Sequence, residues 1–261
     1  MSQGPRNIRL LIAYDGTDFS GWQRQQHDRT IQGEIERCLS LMSREHIHLH
    51  GAGRTDAGVH AEGMVAHFTT SATLSCAVLL RGLNAMLPGA IRVLEALPVD
   101  LDFHARFSAI GKAYQYIIHT GTIHPPHCRL YSVHVRAQLN YAAMRDCLAI
   151  LVGTYDFSSF ENSGSRDKSR ISGRGAVRTI QQADLLERAP DILIFQFIGD
   201  GFLRNMVRNL VGSLLDVGRG RLSVADFRTI LQAKDRTMAG VTAPAHGLFL
   251  KKVFYDADRR G

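Results

Sequence analysis

Gly51-Ala52-Gly53-Arg54-Thr55-Asp56-Ala57-Gly58-Val59-His60-Ala61 is the stretch from which the rest of the chain is read. It holds three glycines, one carboxylate, and an arginine two residues before that carboxylate. Upstream, His46-Ile47-His48-Leu49-His50 alternates polar and apolar residues, the pattern of a strand. Downstream, Gly63-Met64-Val65-Ala66-His67-Phe68 reads as another strand. The stretch is therefore a tight loop between two strands, with Arg54 and Asp56 at its tip. Glycine allows backbone conformations and close approach that other residues forbid. A carboxylate presented there beside a cation is held as the anion that a nucleophile or base requires. A structural aspartate in a turn would use the same residue types. A dinucleotide fingerprint would not, because its third glycine position is Asp56 and a strand follows where a helix is needed.

Working outward, Ile8 to Ala13 is an apolar strand, and Tyr14-Asp15-Gly16-Thr17-Asp18-Phe19-Ser20-Gly21-Trp22 turns away from it. Thr30 caps a helix with Ile31, Ile35, Cys38, Leu39 and Met42 on one face. After the Asp56 loop and its strands, Ser75 caps a second helix carrying Leu79, Leu80, Leu83 and Met86, which Pro88-Gly89 ends. Ile91 to Leu97 is the next strand. The order βαββαβ is the ferredoxin-like arrangement. From Lys112 onward the order recurs. A strand runs to His119, with Tyr114, Tyr116 and Ile118 on one side, and Asn140 caps a helix. Strands follow at 176–186 and 192–198, the latter apolar enough to be central. A helix at 202–217, a shorter one from Ser223 and a closing strand at 247–254 complete it. The fold class is α+β: two ferredoxin-like halves, 1–105 and 106–261, with a central active-site cleft where ligands collect.

The 261 residues carry 31 Lys plus Arg against 24 Asp plus Glu, a formal charge of +7 that favours a polyanionic partner. No apolar run approaches the roughly 18 residues of a transmembrane helix. The N-terminus has no apolar core of a signal peptide. Cys38, Cys76, Cys128 and Cys147 are far apart with no C-x-x-C, which fits reduced thiols in a cytoplasmic protein. The twelve histidines include the alternating His46, His48 and His50, but no Cys/His set has the spacing of a closed zinc site, so no metal is expected.

Three features carry chemistry besides Asp56. Tyr114, on a strand after Lys112, is either core or a surface on which a base stacks, with a hydroxyl for proton work. Arg204 and Arg208 are four apart in a helical stretch, one face from Phe202, Met206, Leu210 and Val211. They are either a solvated basic stripe or a pair of which one points into the cleft to pair with Asp56 or hold a phosphate. Asn162 to Arg178 carries Arg166, Lys168, Arg170, Arg174 and Arg178 among serines and glycines without apolar periodicity. Such a basic loop grips a phosphate backbone.

These residues together resemble the tRNA pseudouridine synthase A (TruA) family. Ile12 to Gln25 is similar to the family's opening motif, and Ala52 to Ala61 to its catalytic motif. Phe103-His104-Ala105-Arg106-Phe107-Ser108-Ala109 with Lys112-Ala113-Tyr114-Gln115-Tyr116 resembles a third, and Phe202-Leu203 with Met206-Val207-Arg208 and Gly212 a fourth. Met64 stands where the family has a glutamine, and the 162–178 segment lacks a Cys-Gln-Ser run. The resemblance implies two ferredoxin-like halves, a homodimer, no metal or organic cofactor, and tRNA as partner. It implies uridines 38–40 of the anticodon stem-loop as substrate. Asp56 is then the catalytic aspartate, Arg54 and Arg208 its basic partners, Tyr114 the base-stacking tyrosine, and Arg178 the family's basic position before Thr179-Ile180.

Converting uridine to pseudouridine breaks N1–C1′ and joins C5 to C1′, with nothing oxidised and nothing released but the C5 proton. Asp56 would add to C6, attack C1′ as carboxylates do in retaining glycosidases, or remove the C2′ proton. The sequence leaves all three open. A base glycosylase and a tandem RNA-binding module without chemistry are the rival readings; the first releases free uracil, and the second makes Asp56 dispensable. If the basic loop grips RNA, neutralising Arg166, Lys168 and Arg170 weakens tRNA binding and lowers the slope of log Kd against log salt by about 2. A salt titration that returns an unchanged slope contradicts this.

Overall fold

The computed structural model describes residues 4–162 and 174–256. In chain order the elements are β1 (Arg6–Tyr14), α1 (Ile31–Ser43), β2 (His50–Gly51), β3 (His60–Thr70), α2 (Cys76–Met86) and β4 (Ile91–Val99). Then come β5 (Ala109–His119), β6 (Val133–His134), α3 (Tyr141–Leu151), β7 (Gly153–Asp156), β8 (Val177–Ala189) and β9 (Ile192–Gly199). The chain finishes with α4 (Met206–Gly218), α5 (Val224–Ala233) and β10 (Leu248–Tyr255). The architecture is α+β, in two compact units: Met1–Ile110 with Phe249–Gly261, and Gly111–Leu248.

In the first unit β1 lies between β4 and β3, antiparallel to both. β2 pairs antiparallel with β3, so the strand order is 4-1-3-2, as the βαββαβ reading requires. Ile8, Leu10 and Ile12 of β1 are fully buried, as are Ile31, Ile35, Cys38 and Leu39 of α1 and Leu83 of α2. The period of 2 on the strand and of 3.6 on the helices turns these residues into one core. Each such aliphatic side chain contributes about 1.5–3 kcal/mol. Both helices start where their caps predict: Thr30 accepts from the Gly33 N–H and Ser75 from the Val78 N–H. Met64, in the glutamine position, is fully buried and packs in this core.

The strand expected over 46–50 is only His50–Gly51. Helix α1 takes the backbone groups that a neighbouring strand would have used. The Ile47 N–H donates to Ser40 Oγ (3.1 Å), the Leu49 N–H to Glu36 Oε1 (2.9 Å), and the Leu49 carbonyl accepts from Gln32 Nε2 (2.9 Å). With β2 so short, it covers β3 only at Ala66 and His67. Phe249 and Leu250 of β10 pair in parallel with His60 and Ala61 on the remaining edge. The closing strand, read from the sequence as part of the second half, thus serves the first unit.

The second unit has the order β5-β9-β8-β7, with β6 beside β5. β9 is central there, as its apolar run requires. Strands β6 and β7 were not legible, being 2 and 4 residues long. Asn140 and Ser223 cap α3 and α5, the latter with a reciprocal bond from Asp226. Tyr116, Met144, Phe195, Phe197, Leu210, Leu214 and Phe227 are fully buried.

On the face of the first unit away from its helices, residues 100–105 are tied to the sheet. Asn7 Nδ2 donates to the Asp100 and Phe103 carbonyls, both at 2.9 Å, and Tyr255 Oη to the Ala105 carbonyl at 2.7 Å. The Ala105 N–H donates to His67 Nδ1 (3.1 Å), and the rings of His50 and His104 lie 5.1 and 4.6 Å from that of His67. Burial above all, then the His104 and His50 charges, lowers the His67 pKa from 6.5 to about 4. The unfolded chain therefore takes up a proton near pH 6.5 that the folded protein refuses until about 4. Stability from this group is complete above pH 6.5 and is lost as pH falls toward 4. His67→Asn keeps an acceptor for Ala105 without titrating. Its Tm falls less than that of the wild type between pH 6.5 and 4.5 in thermal melts, and equal falls would contradict the assignment.

Candidate active site

Segment 14–22 is seated directly on the Asp56 loop, backbone against backbone. A Cβ on Gly16 would lie 2.1 Å from the Val59 carbonyl oxygen, and one on Gly21 would lie 2.6 Å from that of Thr55. Gly21 also has φ +87°, so no other residue is comfortable there. Gly51 lets the Trp22 ring pack at a distance that a Cβ would close to 2.6 Å, and Trp22 is 1% exposed. The hydrogen bonds follow from this approach. The Trp22 N–H donates to the Thr55 carbonyl (3.1 Å), the Gly16 N–H to His60 Nδ1 (3.1 Å), and the Tyr14 and Thr55 hydroxyls bond at 2.8 Å in buried surroundings. His60 is 1% exposed and stacks on Phe249.

Asp56 sits at the tip of this assembly, half-buried, with its carbonyl accepting from the Val59 N–H (3.2 Å). Its backbone is thus fixed on both sides. Arg54, two residues before it, is exposed.

In the second unit Tyr114 is 8% exposed, and Phe202 meets its ring edge-on at 5.1 Å and 79°. Gly199 and the Asp200 turn bring Phe202 there. Residues 202–205 are not helical, so Arg204 does not share a helix face with Arg208. Asn205 takes a left-handed conformation (φ 60°) at the N-cap of α4, and its Oδ1 accepts from Arg208 Nη1 at 2.7 Å. Arg208 Nε donates to the Ala243 carbonyl (2.7 Å), and the Ala243 N–H donates back to the Arg208 carbonyl (3.1 Å). Arg208 is half-buried. It also bears on the neighbouring Tyr116, whose hydroxyl donates to Pro244 and whose pKa burial raises and the Arg208 charge lowers.

Asn209, fully buried, is the part of this site that sequence reading missed. Its Nδ2 donates to the Phe160 carbonyl and Asn162 Oδ1, and its Oδ1 accepts from Arg236 Nη2 and the Thr242 hydroxyl, all within 2.7–3.0 Å. This network holds 240–243 against α4, where Gly212 leaves room for the Val241 carbonyl. The available signal was the polar pair Asn209 and Ser213, four apart among the apolar residues of α4.

Of the five basic loop residues, Arg166, Lys168 and Arg170 lie outside the described residues. Arg174 forms an ion pair with Asp200, and Arg178 Nη1 donates to the Gly175 and Val177 carbonyls. Among the described residues no group of three His, Cys, Asp or Glu is arranged to hold a metal, and His46 and His48 simply pack edge-on at 4.6 Å. No described helix is long and apolar enough to cross a membrane. All four cysteines are unpaired.

A family model described as tRNA pseudouridine synthase matches residues 10–108 and 148–256, which include the Asp56 loop, its seat and α4. The chain belongs to the tRNA pseudouridine synthase family. It is accordingly an isomerase acting on uridine in tRNA. It is 60% identical over 250 residues to "tRNA pseudouridine synthase A 1" of Desulfotalea psychrophila, covering 96% of this chain and all of that protein. It is 44% identical to "tRNA pseudouridine synthase A" of Exiguobacterium sibiricum over 98% of this chain and 99% of that one. The protein of the same name from Acetivibrio thermocellus is 42% identical over 96% of this chain and its own full length. Among solved structures, a Cbf5–Nop10–Gar1 complex aligns distantly, at 13% identity and a TM-score of 0.37 over 94% of this chain and 59% of that one.

Proposed function

We propose that this synthase isomerises uridines 38–40 in the anticodon stem-loop of tRNA, with Asp56 as the group that attacks the reacting nucleotide. The observation that carries the reading is the seating of the Asp56 loop: two glycines and three hydrogen bonds fix the loop in which the half-buried Asp56 stands. A nucleophile benefits from such pre-organisation because misplacement by about 1 Å costs on the order of 100-fold in rate. The relatives, aligned over nearly the whole chain, all bear the name tRNA pseudouridine synthase A.

The target uridine leaves the stack to be reached, at a cost of a few kcal/mol. Tyr114 stacks on it, for about 1–3 kcal/mol. Asp56 then acts as nucleophile or general base, N1–C1′ breaks, the uracil turns, and C5 joins C1′. The C5 proton leaves to the Tyr114 hydroxyl or to water. Arg208 supplies positive charge toward the reacting nucleotide, and Arg54 holds a phosphate. Arg174, Arg178 and the other loop cations extend the grip on the tRNA backbone. The protein works as a homodimer in the cytoplasm, without a cofactor, since the reaction is redox-neutral and internal.

Anticodon arms transcribed with [5-³H]uridine test the substrate and the chemistry together. Tritium is released, the uracil remains attached to the RNA, and release disappears when positions 38–40 hold cytidine. Free uracil would make the protein a glycosylase, and release that persists in the cytidine arm would refute the assignment to those positions.

A further inference from the structure

The contact between the Tyr14 and Thr55 hydroxyls is not needed for packing. Tyr14 is 4% exposed and Thr55 9%, so each is enclosed. Phenylalanine and valine would fill the same space, and replacing both partners of a buried hydrogen bond by apolar groups of the same shape is nearly neutral for stability. Two hydroxyls nevertheless meet there at 2.8 Å, on the residue immediately before Asp56. The Thr55 carbonyl is engaged as well, by the Trp22 N–H. Both polar groups of Thr55 that point away from the loop tip are therefore held by segment 14–22.

We infer that Tyr14 is a positioning residue for Asp56, acting through the Thr55 hydroxyl. The inference rests on the reading of Asp56 as the attacking group. A hydroxyl–hydroxyl bond fixes rotation about the Thr55 side chain and sets the direction in which the chain enters Asp56. The Trp22 bond and the Gly21 contact fix the height of the same peptide. The phenol comes from the end of β1, whose Tyr14 pairs with Ala61 of β3 and Ile91 of β4, so it is anchored to the rigid sheet. Its ring also lies 6.1 Å from that of Trp22, which sits under Gly51 at the other end of the loop. The phenol hydroxyl thus links the sheet to the residue beside the carboxylate, and its contribution is to the alignment of Asp56 rather than to the affinity for tRNA.

The test compares Tyr14→Phe, Thr55→Val, Thr55→Ser and the Tyr14→Phe/Thr55→Val double variant with wild type and Asp56→Asn. It uses full-length protein and an anticodon-arm substrate. Tyr14→Phe and Thr55→Val each lower kcat by about 10- to 100-fold with KM within about twofold. The double variant is no slower than either alone, because both remove one bond. Thr55→Ser restores most of the kcat lost in Thr55→Val, and the double variant melts within a few degrees of wild type. Wild-type kcat in Tyr14→Phe, or losses that multiply in the double variant, would overturn the inference. A kcat loss that tracks a lowered Tm would overturn it too, by making the contact merely structural. Asp56→Asn separates the two claims: if it is inactive while Tyr14→Phe is wild-type, only the positioning role fails, and if it is active, the role of Asp56 fails first.

Discussion

Gly16 has no side chain, and this allows the backbone of segment 14–22 to reach the Val59 carbonyl. Once that approach is made, the remaining contacts of the loop are nearly determined. The Gly16 N–H faces His60, the Trp22 N–H faces the Thr55 carbonyl, and the Tyr14 phenol arrives at the Thr55 hydroxyl. Any side chain at position 16 or 21 would separate the two backbones by more than a hydrogen bond can span. A short loop has little apolar surface with which to hold itself. Here it gains rigidity from a neighbouring segment that is itself anchored by a fully enclosed tryptophan. The carboxylate at the tip belongs to a stiff loop, the condition under which a single acid can be aimed.

The second unit uses a related device on a helix. Gly212 admits the Val241 carbonyl against α4, and Asn209 spends all of its amide valence on holding the surroundings of that approach. Arg208 is then held from two sides, by Asn205 within its own turn and by the Ala243 carbonyl. The left-handed Asn205 has a conformational cost, and the hydrogen bond to the guanidinium is what offsets it. Arg236 supports this network without a carboxylate partner among the described residues. Burial lowers its pKa, so part of the cost of desolvating a cation goes into fixing the 239–243 segment.

Much of this was legible in the chain. The alternation of Ile8, Leu10 and Ile12 and the spacing of Ile31, Ile35, Cys38 and Leu39 define a strand and a helix by period alone, and Thr30, Ser75, Asn140 and Ser223 mark helix starts because their side chains satisfy backbone donors. Asp56 stood out through its glycine neighbours. What stayed hidden depends on long-range partners. The 46–49 stretch alternates like a strand, but side chains of α1 take its hydrogen bonds. The 247–254 strand looked like the end of the second half, yet the vacant edge of β3 decides its place. The helical spacing of Arg204 and Arg208 misleads because the helix begins only after Asn205, which leaves Arg204 outside it. The link from Tyr14 to Thr55 spans 41 residues, and no local pattern encodes it.

The most direct measurement of the central claim is tRNA binding and single-turnover product formation on the same samples of wild type and Asp56→Ala. With Asp56 as the chemical centre, the variant binds tRNA with a Kd close to that of the wild type and forms no pseudouridine. Pseudouridine formed at the wild-type rate by Asp56→Ala would contradict the account and move the chemistry to another residue.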